Sequence, residues 1–301
     1  MTRIICADCG RACHAERTEE RGTGFCGCGL LPRAALARAH FGEEPCISGK
    51  RGSGTVFFCG CSLGCVFCQN YEISHDGAAG KEITPARLAD IFRELEDSGV
   101  HNINLVNPTH YTYAIDKAMR LYRPGIPVVY NTSSYDGSAA LARAAEWTDI
   151  FLADLKLVSP SRSRRYLKAE NYPETALKAI DAMKRMQPKD EFASDGIMQR
   201  GVIVRVLVLP CNADQARACG QMIKEKWGAD TVVSVMSQYY PAGEAAGGKY
   251  PEIARRITAR EYESVCACFS ELGFSKGYYQ KPDSADSADS VYTPIFNGEG
   301  I

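Results

Sequence analysis

Three cysteines lie close together after a short apolar run of this 301-residue chain. Cys61, Cys65 and Cys68 have the spacing C-x3-C-x2-C, with glycines at positions 60 and 64. One loop can therefore present three thiolates, which are the usual ligands of iron–sulfur clusters. Three ligands would leave one iron of a [4Fe–4S] cluster open to bind another molecule. An open iron indicates a catalytic cluster rather than one that only stores electrons. The alternatives are buried cysteines or part of a zinc site, although structural zinc usually takes four ligands.

A second group of cysteines lies near the N-terminus and comprises Cys6, Cys9, Cys13, Cys26 and Cys28. Four thiolates from these five could bind a structural zinc tetrahedrally or hold an additional iron–sulfur cluster. Pairing Cys6 and Cys9 with Cys26 and Cys28 is typical of zinc. A metal-free state is the weaker alternative, because so small a segment would have no core of its own.

Ten of the 14 cysteines precede Asn70. Disulfides would need an oxidising compartment, and the first ten residues, which are polar and contain two cysteines, do not form a signal peptide. We therefore interpret the two early groups as ligands and assign no ligand role to Cys46 or Cys59. The four later cysteines are expected in the core: Cys211, Cys219, Cys266 and Cys268.

Charge and hydropathy exclude some classes of function. The 35 basic and 36 acidic residues nearly cancel, so no broad surface for nucleic acid or for an anionic membrane is indicated. No apolar run approaches the roughly 20 residues of a transmembrane helix. We expect a cytoplasmic protein that engages neither a membrane nor nucleic acid.

From about Gly54 onward, short apolar runs alternate with longer amphipathic stretches, which indicates a βα repeat. The predicted strands are Thr55–Phe58, Asn102–Val106, Pro127–Asn131, Asp149–Leu155, Val202–Leu209 and Thr231–Met236. The predicted helices are Thr84–Ser98, Ala114–Tyr122, Gly137–Glu146, Glu174–Met186, Ala213–Trp227 and Ala259–Leu272. Six such units predict an α/β fold, a partial (β/α)6 TIM-like barrel with its chemistry at the carboxyl ends of the strands.

This pattern divides the chain into three parts. Residues 1–50 are expected to form a small cysteine-rich metal-binding module and linker, 51–281 the barrel, and 282–301 a C-terminal tail. The tail repeats Asp-Ser-Ala over Asp283 to Ser290, which favours a mobile loop or linker. Tyr292 to Phe296 could dock again on the barrel.

Charged residues occur at the end of one predicted strand and inside another. Asp154 and Lys156 follow an apolar run, and alternate residues of a strand face the same side. Opposite charges there are costly without a partner, so they form either a structural ion pair or a ligand site. Arg205, inside another apolar run, could bind a carboxylate or pair with Asp154.

The cysteine triplet, read as C-x3-C-x-Φ-C with Phe67 as the aromatic residue, resembles the signature of the radical S-adenosylmethionine (SAM) superfamily. The resemblance implies that Cys61, Cys65 and Cys68 hold a [4Fe–4S] cluster whose fourth iron is chelated by SAM. It also implies reductive cleavage of SAM to a 5′-deoxyadenosyl radical, which removes hydrogen from a substrate. Phe67 would lie against the adenine.

Along nearly its whole length the chain resembles the pyruvate formate-lyase activating enzyme-like group, most members of which have no established substrate. The matching segments include Glu44-Pro45, Gly52 to Phe58, Cys65 to Ser74, Pro108 to Tyr111, Tyr130 to Ser133, Asp154 to Lys156, Leu207 to Pro210, Met236 to Tyr239 and Phe296 to Gly300. The resemblance implies SAM contacts from Phe67, Asn107, Thr109, His110, Asn131, Ser133, Asp154, Lys156 and Arg205. For the N-terminal group it implies the ligands Cys6, Cys9, Cys13 and Cys26, although Gly10 replaces a proline of the family's outline.

Three hypotheses for the function follow. In the first, the radical removes a glycine hydrogen from a partner glycyl-radical enzyme, as in activases. In the second, the radical acts on a small molecule or on another peptide side chain. The third is a non-catalytic metal-binding regulator, which the intact triplet disfavours. The enzymatic hypotheses imply a reductant such as flavodoxin or ferredoxin, and no catalytic residue is assigned.

Overall fold

The computed structural model describes residues 2–76, 80–281, 284 and 292–301. The strands of this part are β1 (Ile4–Ile5), β2 (Glu16–Arg17), β3 (Arg33–His40), β4 (Ser53–Phe58), β5 (Lys81–Glu82), β6 (Ile103–Val106), β7 (Val128–Thr132), β8 (Ile150–Asp154), β9 (Glu191–Phe192), β10 (Met198–Leu207), β11 (Val232–Met236) and β12 (Gly277–Tyr279). Its α-helices are α1 (Pro45–Ser48), α2 (Pro85–Asp97), α3 (Thr112–Leu121), α4 (Ser138–Ala144), α5 (Pro160–Leu167), α6 (Tyr172–Met186), α7 (Ala213–Trp227) and α8 (Ala259–Glu271).

The main sheet has the strand order β12-β11-β10-β8-β7-β6-β4-β3-β5, with β9 paired to β10. Neighbouring strands from β4 to β12 are parallel, whereas β3 pairs antiparallel with β4 and with β5. Within the described residues β5 and β12 do not pair with each other, so the sheet is open. This is the α/β architecture that the sequence predicted, with parallel strands joined by helices.

All six predicted strands and all six predicted helices are present, with ends that shift by a few residues. Helix α2 illustrates why the sequence pattern succeeds. Thr84 caps its first turn by accepting a hydrogen bond from the amide of Arg87 at 3.1 Å, and Pro85 opens the helix. Leu88 and Phe92 point from the same face into the core.

Two larger elements were not predicted. Strand β3 has the sequence RAALARAH, whose Ala and Arg residues favour helix, yet it forms eight residues of strand. Pairing with β4 and the burial of five of its eight residues outweigh that preference. Because β3 and α1 belong to the barrel, the structure places residues 33–48 there rather than in the expected linker. The polar helix α5 was missed because its sequence lacks a clear apolar period.

The parallel strands divide the core into two layers. Outward residues pack under the helices, whereas inward residues such as Ile150 and Leu152 form a separate cluster with Ile203 and with Ile47 of α1. Asp154 continues the inward face of β8, because alternate residues of a strand share a side. The interior is therefore apolar in the middle of the strands and charged at their carboxyl ends.

The chain termini both pack on this barrel. The β1–β2 hairpin is joined to it by the amide of Gly10, which donates to Tyr135 O at 3.0 Å, and by that of Gly137, which donates to Asp8 O at 2.8 Å. At the other end, Phe296 packs edge-on against Phe57 at 5.5 Å between ring centroids. The predicted mobile segment Asp283 to Ser290 lies outside the described residues except for Ser284.

None of the 14 cysteines forms a disulfide. Cys219 lies in the core as expected, and Cys266 and Cys268 are half-buried. Cys211 is exposed, which contradicts the expectation of a core position. It follows Pro210 in the turn after β10, where its φ of 56° places it on the surface.

In the part of the chain that the structure describes, we find no helix of sufficient length and apolarity to traverse a lipid bilayer.

We expect Leu152→Ala to lower the free energy of unfolding by about 2 to 5 kcal/mol, because Leu152 is fully buried in the inner cluster and its loss leaves a cavity. Leu121→Ala is the matched control, since Leu121 is 62% exposed, and we expect a change within about 0.5 kcal/mol. Urea unfolding followed by circular dichroism measures both. Equal effects of the two substitutions would contradict the assignment of the inner layer.

Candidate active site

A cavity of about 210 Å³ opens at the carboxyl ends of the parallel strands, and Cys61, Cys65 and Cys68 all line it. Their loop leaves β4 through Gly60, whose φ of 80° favours glycine. A Cβ atom at this position would also stand 2.2 Å from the sulfur of Cys28. The turn and the close approach together require glycine where the loop begins.

Helix α5 supports the far side of this loop. The amide of Gly64 donates to Leu167 O at 3.2 Å, and the amide of Val66 donates to Tyr166 O at 2.9 Å. Phe67 lines the same cavity and makes an edge contact with Tyr239 at 6.0 Å between ring centroids. The three cysteines and Phe67 are therefore presented together, as their spacing predicted.

Burial raises the pKa of all three thiols, to about 12 for Cys61. The positive charge of Lys156 opposes this effect at each of them. The hydroxyl of Ser74 also donates to the Cys68 sulfur at 3.3 Å. Because metal ligands must be deprotonated, a bound metal would supply the remaining stabilisation of the thiolates.

The donor set fits a [4Fe–4S] cluster, whose thiolate ligands bind different irons and surround it. The three thiols lie around a cavity of about 210 Å³. Within the described part of the chain only these three cysteines line the cavity, which leaves one iron without a protein thiolate.

Arg205 of β10 connects three other elements at the cavity wall. Its Nε donates to Asp154 Oδ1 at 2.8 Å, its Nη1 to Glu43 Oε2 at 3.0 Å and its Nη2 to Asn131 Oδ1 at 2.6 Å. The Nζ of Lys156 donates to the second oxygen of Asp154 at 2.6 Å. Asp154, Lys156, Arg205 and Asn131, all of which the sequence pointed to, therefore meet in one network.

The charges in this network stabilise one another. Burial opposes ionisation of Asp154, but Arg205 and Lys156 outweigh it and lower its pKa. Burial likewise opposes the charge of Lys156, while Asp154 and then Cys65 raise its pKa. Asp154 is thus a carboxylate and Lys156 an ammonium. From the sequence, these two residues formed either a structural ion pair or a ligand site. In the structure they form the ion pair and also line the cavity.

Glu43 is a member of the network that sequence reasoning missed. Its Oε1 accepts hydrogen bonds from Asn104 Nδ2 at 3.0 Å and Asn131 Nδ2 at 2.9 Å, in addition to the contact with Arg205. The available signal was a pair of acids directly before Pro45, which opens the buried helix α1. A carboxylate next to a buried helix needs a cation, and Arg205 is that cation.

Asn107 and Ser133 also line the cavity, as expected. Asn107 has a φ of 58°, and its Nδ2 donates to Gly60 O at 2.6 Å. Its Oδ1 lies 3.8 Å from the Cys61 sulfur. Asn107 therefore ties the end of β6 to the start of the cysteine loop.

Thr109 and His110 lie outside this cavity, contrary to the contacts that the resemblance implied. After Asn107 the chain forms a tight 3-10 turn over Thr109–Tyr111, which directs these side chains away from the barrel mouth. Thr109 Oγ1 donates to Asp136 Oδ1 at 2.7 Å, and His110 Nε2 lies 2.9 Å from Cys59 O. His110 instead lines a second cavity of about 10 Å³, together with Cys6, Cys9, Cys13, Cys26 and Cys28.

The cavity is closed by contacts between the first and last parts of the barrel. Gln69, just after the cysteine triplet, donates through Nε2 to Gln238 O at 2.9 Å. Gln280 Nε2 in turn donates to Gln238 Oε1 at 2.6 Å. The sheet is open, but this row of amides spans the gap at its carboxyl end.

Replacing Arg205 should test whether the network is a structural unit. We expect Arg205→Met to lower the free energy of unfolding by about 3 to 5 kcal/mol, because it leaves the buried carboxylate of Glu43 without its cation and that of Asp154 with Lys156 alone. Arg164→Met is the control, since Arg164 pairs with Glu170 on the surface and such pairs contribute at most about 1 kcal/mol. Chemical unfolding measures both, and an equally small loss for the two would contradict the network.

Comparison with known proteins agrees with this geometry. The family described as "Radical SAM superfamily" matches residues 55–198. The uncharacterized protein MJ0674 of Methanocaldococcus jannaschii is 32% identical over 275 residues, which cover 86% of this chain and 72% of that protein. The crystal structure of Streptococcus suis SuiB has a TM-score of 0.51 and 13% identity, and the match covers 75% of this chain. The match covers 49% of SuiB, about half its length, and it shows the shared fold. With its three-cysteine loop at the mouth of an open parallel barrel, the chain belongs to the radical SAM superfamily.

Proposed function

We propose that this chain is a radical SAM enzyme that binds a [4Fe–4S] cluster through Cys61, Cys65 and Cys68 and cleaves SAM reductively. Membership of the superfamily implies both the cluster and SAM. When bound and reduced, the cluster supplies the electron that breaks the sulfur to 5′-carbon bond, and the 5′-deoxyadenosyl radical removes hydrogen from the substrate. A small electron-transfer protein such as flavodoxin or ferredoxin would supply that electron. The observation that carries the proposal is the single cavity shared by the three thiols and the charged network.

The network suggests how the chain would hold SAM. Arg205 uses three of its five N–H donors on three different protein acceptors, whereas Lys156 uses one of its three on Asp154. Because the charge of Lys156 also acts on all three cysteines, Lys156 is our candidate for the SAM carboxylate, and Arg205 is a positioning residue that holds Asp154. Asn107, Asn131 and Ser133 would bind the amino group and the ribose, with Phe67 beside the adenine.

A groove of about 340 Å³ adjoins this cavity and supports a peptide substrate. The two share Glu43, Arg205 and Met236, so the groove leads from the surface to the charged network. Strand β12 borders it through Tyr279 and has a single neighbour among the described strands. An extended peptide can pair with such an edge. We propose a glycine-containing segment of a glycyl-radical enzyme as the substrate, which is the activase hypothesis.

A small molecule or another peptide side chain is the second candidate. The volume of the groove falls within the range of about 300 to 1,000 Å³ that small-molecule sites occupy. The groove also contains Glu44, whose pKa is raised by burial. These features would suit a compact polar ligand as well as a peptide.

The first test is SAM cleavage by the anaerobically reconstituted protein. With dithionite and SAM, we expect 5′-deoxyadenosine from the unmodified chain and none from the triple variant with Cys61, Cys65 and Cys68 changed to Ala. Cys211→Ser is the control, because Cys211 is exposed and does not line the cavity. A protein that carries its cluster and never forms 5′-deoxyadenosine would refute the enzymatic function.

The second test concerns Lys156. We expect Lys156→Met to weaken SAM binding about tenfold or more with the cluster content unchanged, because a charge-assisted hydrogen bond contributes about 1.5 to 3 kcal/mol. SAM titration followed by the electron paramagnetic resonance of the reduced cluster measures the affinity. Lys178→Met, which breaks an exposed pair with Glu174, should leave it unchanged. Equal affinities of the two variants would exclude Lys156 from SAM binding.

The third test separates the substrates. If a neighbouring gene encodes a glycyl-radical enzyme, that enzyme is labelled with deuterium at glycine Cα and incubated with the active protein and SAM. The activase hypothesis expects a glycyl signal and deuterium in 5′-deoxyadenosine. Cleavage of SAM without either one would favour the second candidate.

A further inference from the structure

The N-terminal cysteines surround a cavity that the SAM chemistry does not use. It measures about 10 Å³ and lies between the β1–β2 hairpin and the barrel, where five cysteines and His110 line it. A cavity of about 10 to 15 Å³ holds one water molecule. Its size therefore matches a single metal ion and is too small for an iron–sulfur cluster.

Four of the five cysteines form one group around Cys9. Cys6, Cys13 and Cys26 are near enough to Cys9 to interact with it electrostatically, and all four line the cavity. The Cys13 sulfur packs against Gly24, where a Cβ atom would stand 3.0 Å away. Gly24 O accepts from the amide of Gly27 at 2.9 Å and so forms the turn that carries Cys26.

Cys28 has a different role from these four. Its sulfur lies 3.1 Å from Cys26 O, and it packs against Gly60 at the start of the cysteine loop of the barrel. The same sulfur lies 3.9 Å from Cys59 O. Cys28 is therefore a thiol that donates to backbone carbonyls, beside Cys26 on one side and the cysteine loop of the barrel on the other.

The positively charged side chains around the cavity favour an anionic metal centre. Arg17 is 2% exposed, and its Nη1 lies 3.8 Å from the Cys6 sulfur. Arg11 also lines the cavity, and its buried Nη2 has no hydrogen-bond partner among the described residues. Arg17 and Arg143 both pair with the carboxylate of Asp8. Within the described part of the chain, Arg11 forms no ion pair with a carboxylate. Among the residues that line the cavity, the two guanidinium groups of Arg11 and Arg17 outnumber the one carboxylate of Asp8, so the wall has a net positive charge. Four thiolates around one Zn²⁺ carry two negative charges, which such a wall favours.

The thiols line the cavity without converging on one point, since no described group of three metal-binding side chains does so. A cysteine sulfur moves by rotation about the Cα–Cβ bond, between staggered positions. Four thiols on the wall of a water-sized cavity can therefore close around one ion with the backbone in place. Admitting a cluster would require the backbone itself to move.

We propose that Cys6, Cys9, Cys13 and Cys26 bind one structural Zn²⁺ as thiolates, with Cys28 as a hydrogen-bond donor to the backbone carbonyl of Cys26. Binding releases the proton of each thiol that is still protonated. The ion would fix Arg11, whose Nε donates to Ser62 O at 2.9 Å within the cysteine loop of the barrel. The zinc centre thereby supports the loop that carries Cys61, and its existence does not depend on the proposed SAM chemistry.

Metal analysis of the variant with Cys61, Cys65 and Cys68 changed to Ala tests this proposal, because iron bound by that triplet is then absent. We expect about one zinc per chain and no stoichiometric iron or sulfide. In the same background, Cys9→Ser, Cys13→Ser and Cys26→Ser should each lower zinc affinity at least about tenfold. Cys28→Ser and the exposed Cys211→Ser should retain the zinc.

A second measurement applies if the ligand variants do not fold. Cobalt added to the chelator-treated triple variant should give the thiolate charge-transfer and intense d–d bands of a tetrahedral sulfur site, and one equivalent of zinc should abolish them. Iron with sulfide in the triple variant would overturn the choice of zinc, and a chain that binds neither cobalt nor zinc would overturn the site. Loss of zinc in Cys28→Ser with retention in Cys13→Ser would overturn the ligand set.

Discussion

The guanidinium of Arg205 is the contact on which the mouth of the barrel depends. It reaches β7 through Asn131, β8 through Asp154 and the segment before α1 through Glu43. Buried charges are tolerated only when they are paired and hydrogen-bonded, so the position of each group depends on the others. Two carboxylates and two cations cancel, and Lys156 is thereby held where its charge acts on the three cysteines of the loop.

The regular part of the fold could be predicted because local pattern and tertiary environment agree there. Apolar runs such as Val202–Leu209 are strands in the structure, and a capped amphipathic segment such as α2 is a helix. Strand β3 shows where this reasoning fails, since its residues favour helix and only its pairing with β4 makes it a strand. That pairing joins strands separated by residues 41–52, which include α1, and the path of this segment is not encoded in the composition of β3.

Those site residues could be predicted whose location follows from their position along a strand. Asp154, Lys156 and Arg205 meet because parallel strands bring their carboxyl ends to one edge of the sheet. Thr109 and His110 follow a strand as well, but the 3-10 turn rotates them to the other side, and its direction depends on the left-handed conformation of Asn107. Glu43 precedes the parallel sheet in sequence, so no strand-end argument could reach it.

The row of amides from Gln69 through Gln238 to Gln280 also has a consequence for synthesis of the protein on the ribosome. Gln69 and Gln238 are 169 residues apart in the chain, so this contact contributes strongly to contact order. At about 5 to 20 residues per second, a ribosome needs on the order of ten seconds or more to make the intervening segment. During that interval the three thiols lack the wall that β11 and its following loop provide. A cluster inserted on the nascent chain would be open to oxidants on that side, which favours loading after release from the ribosome.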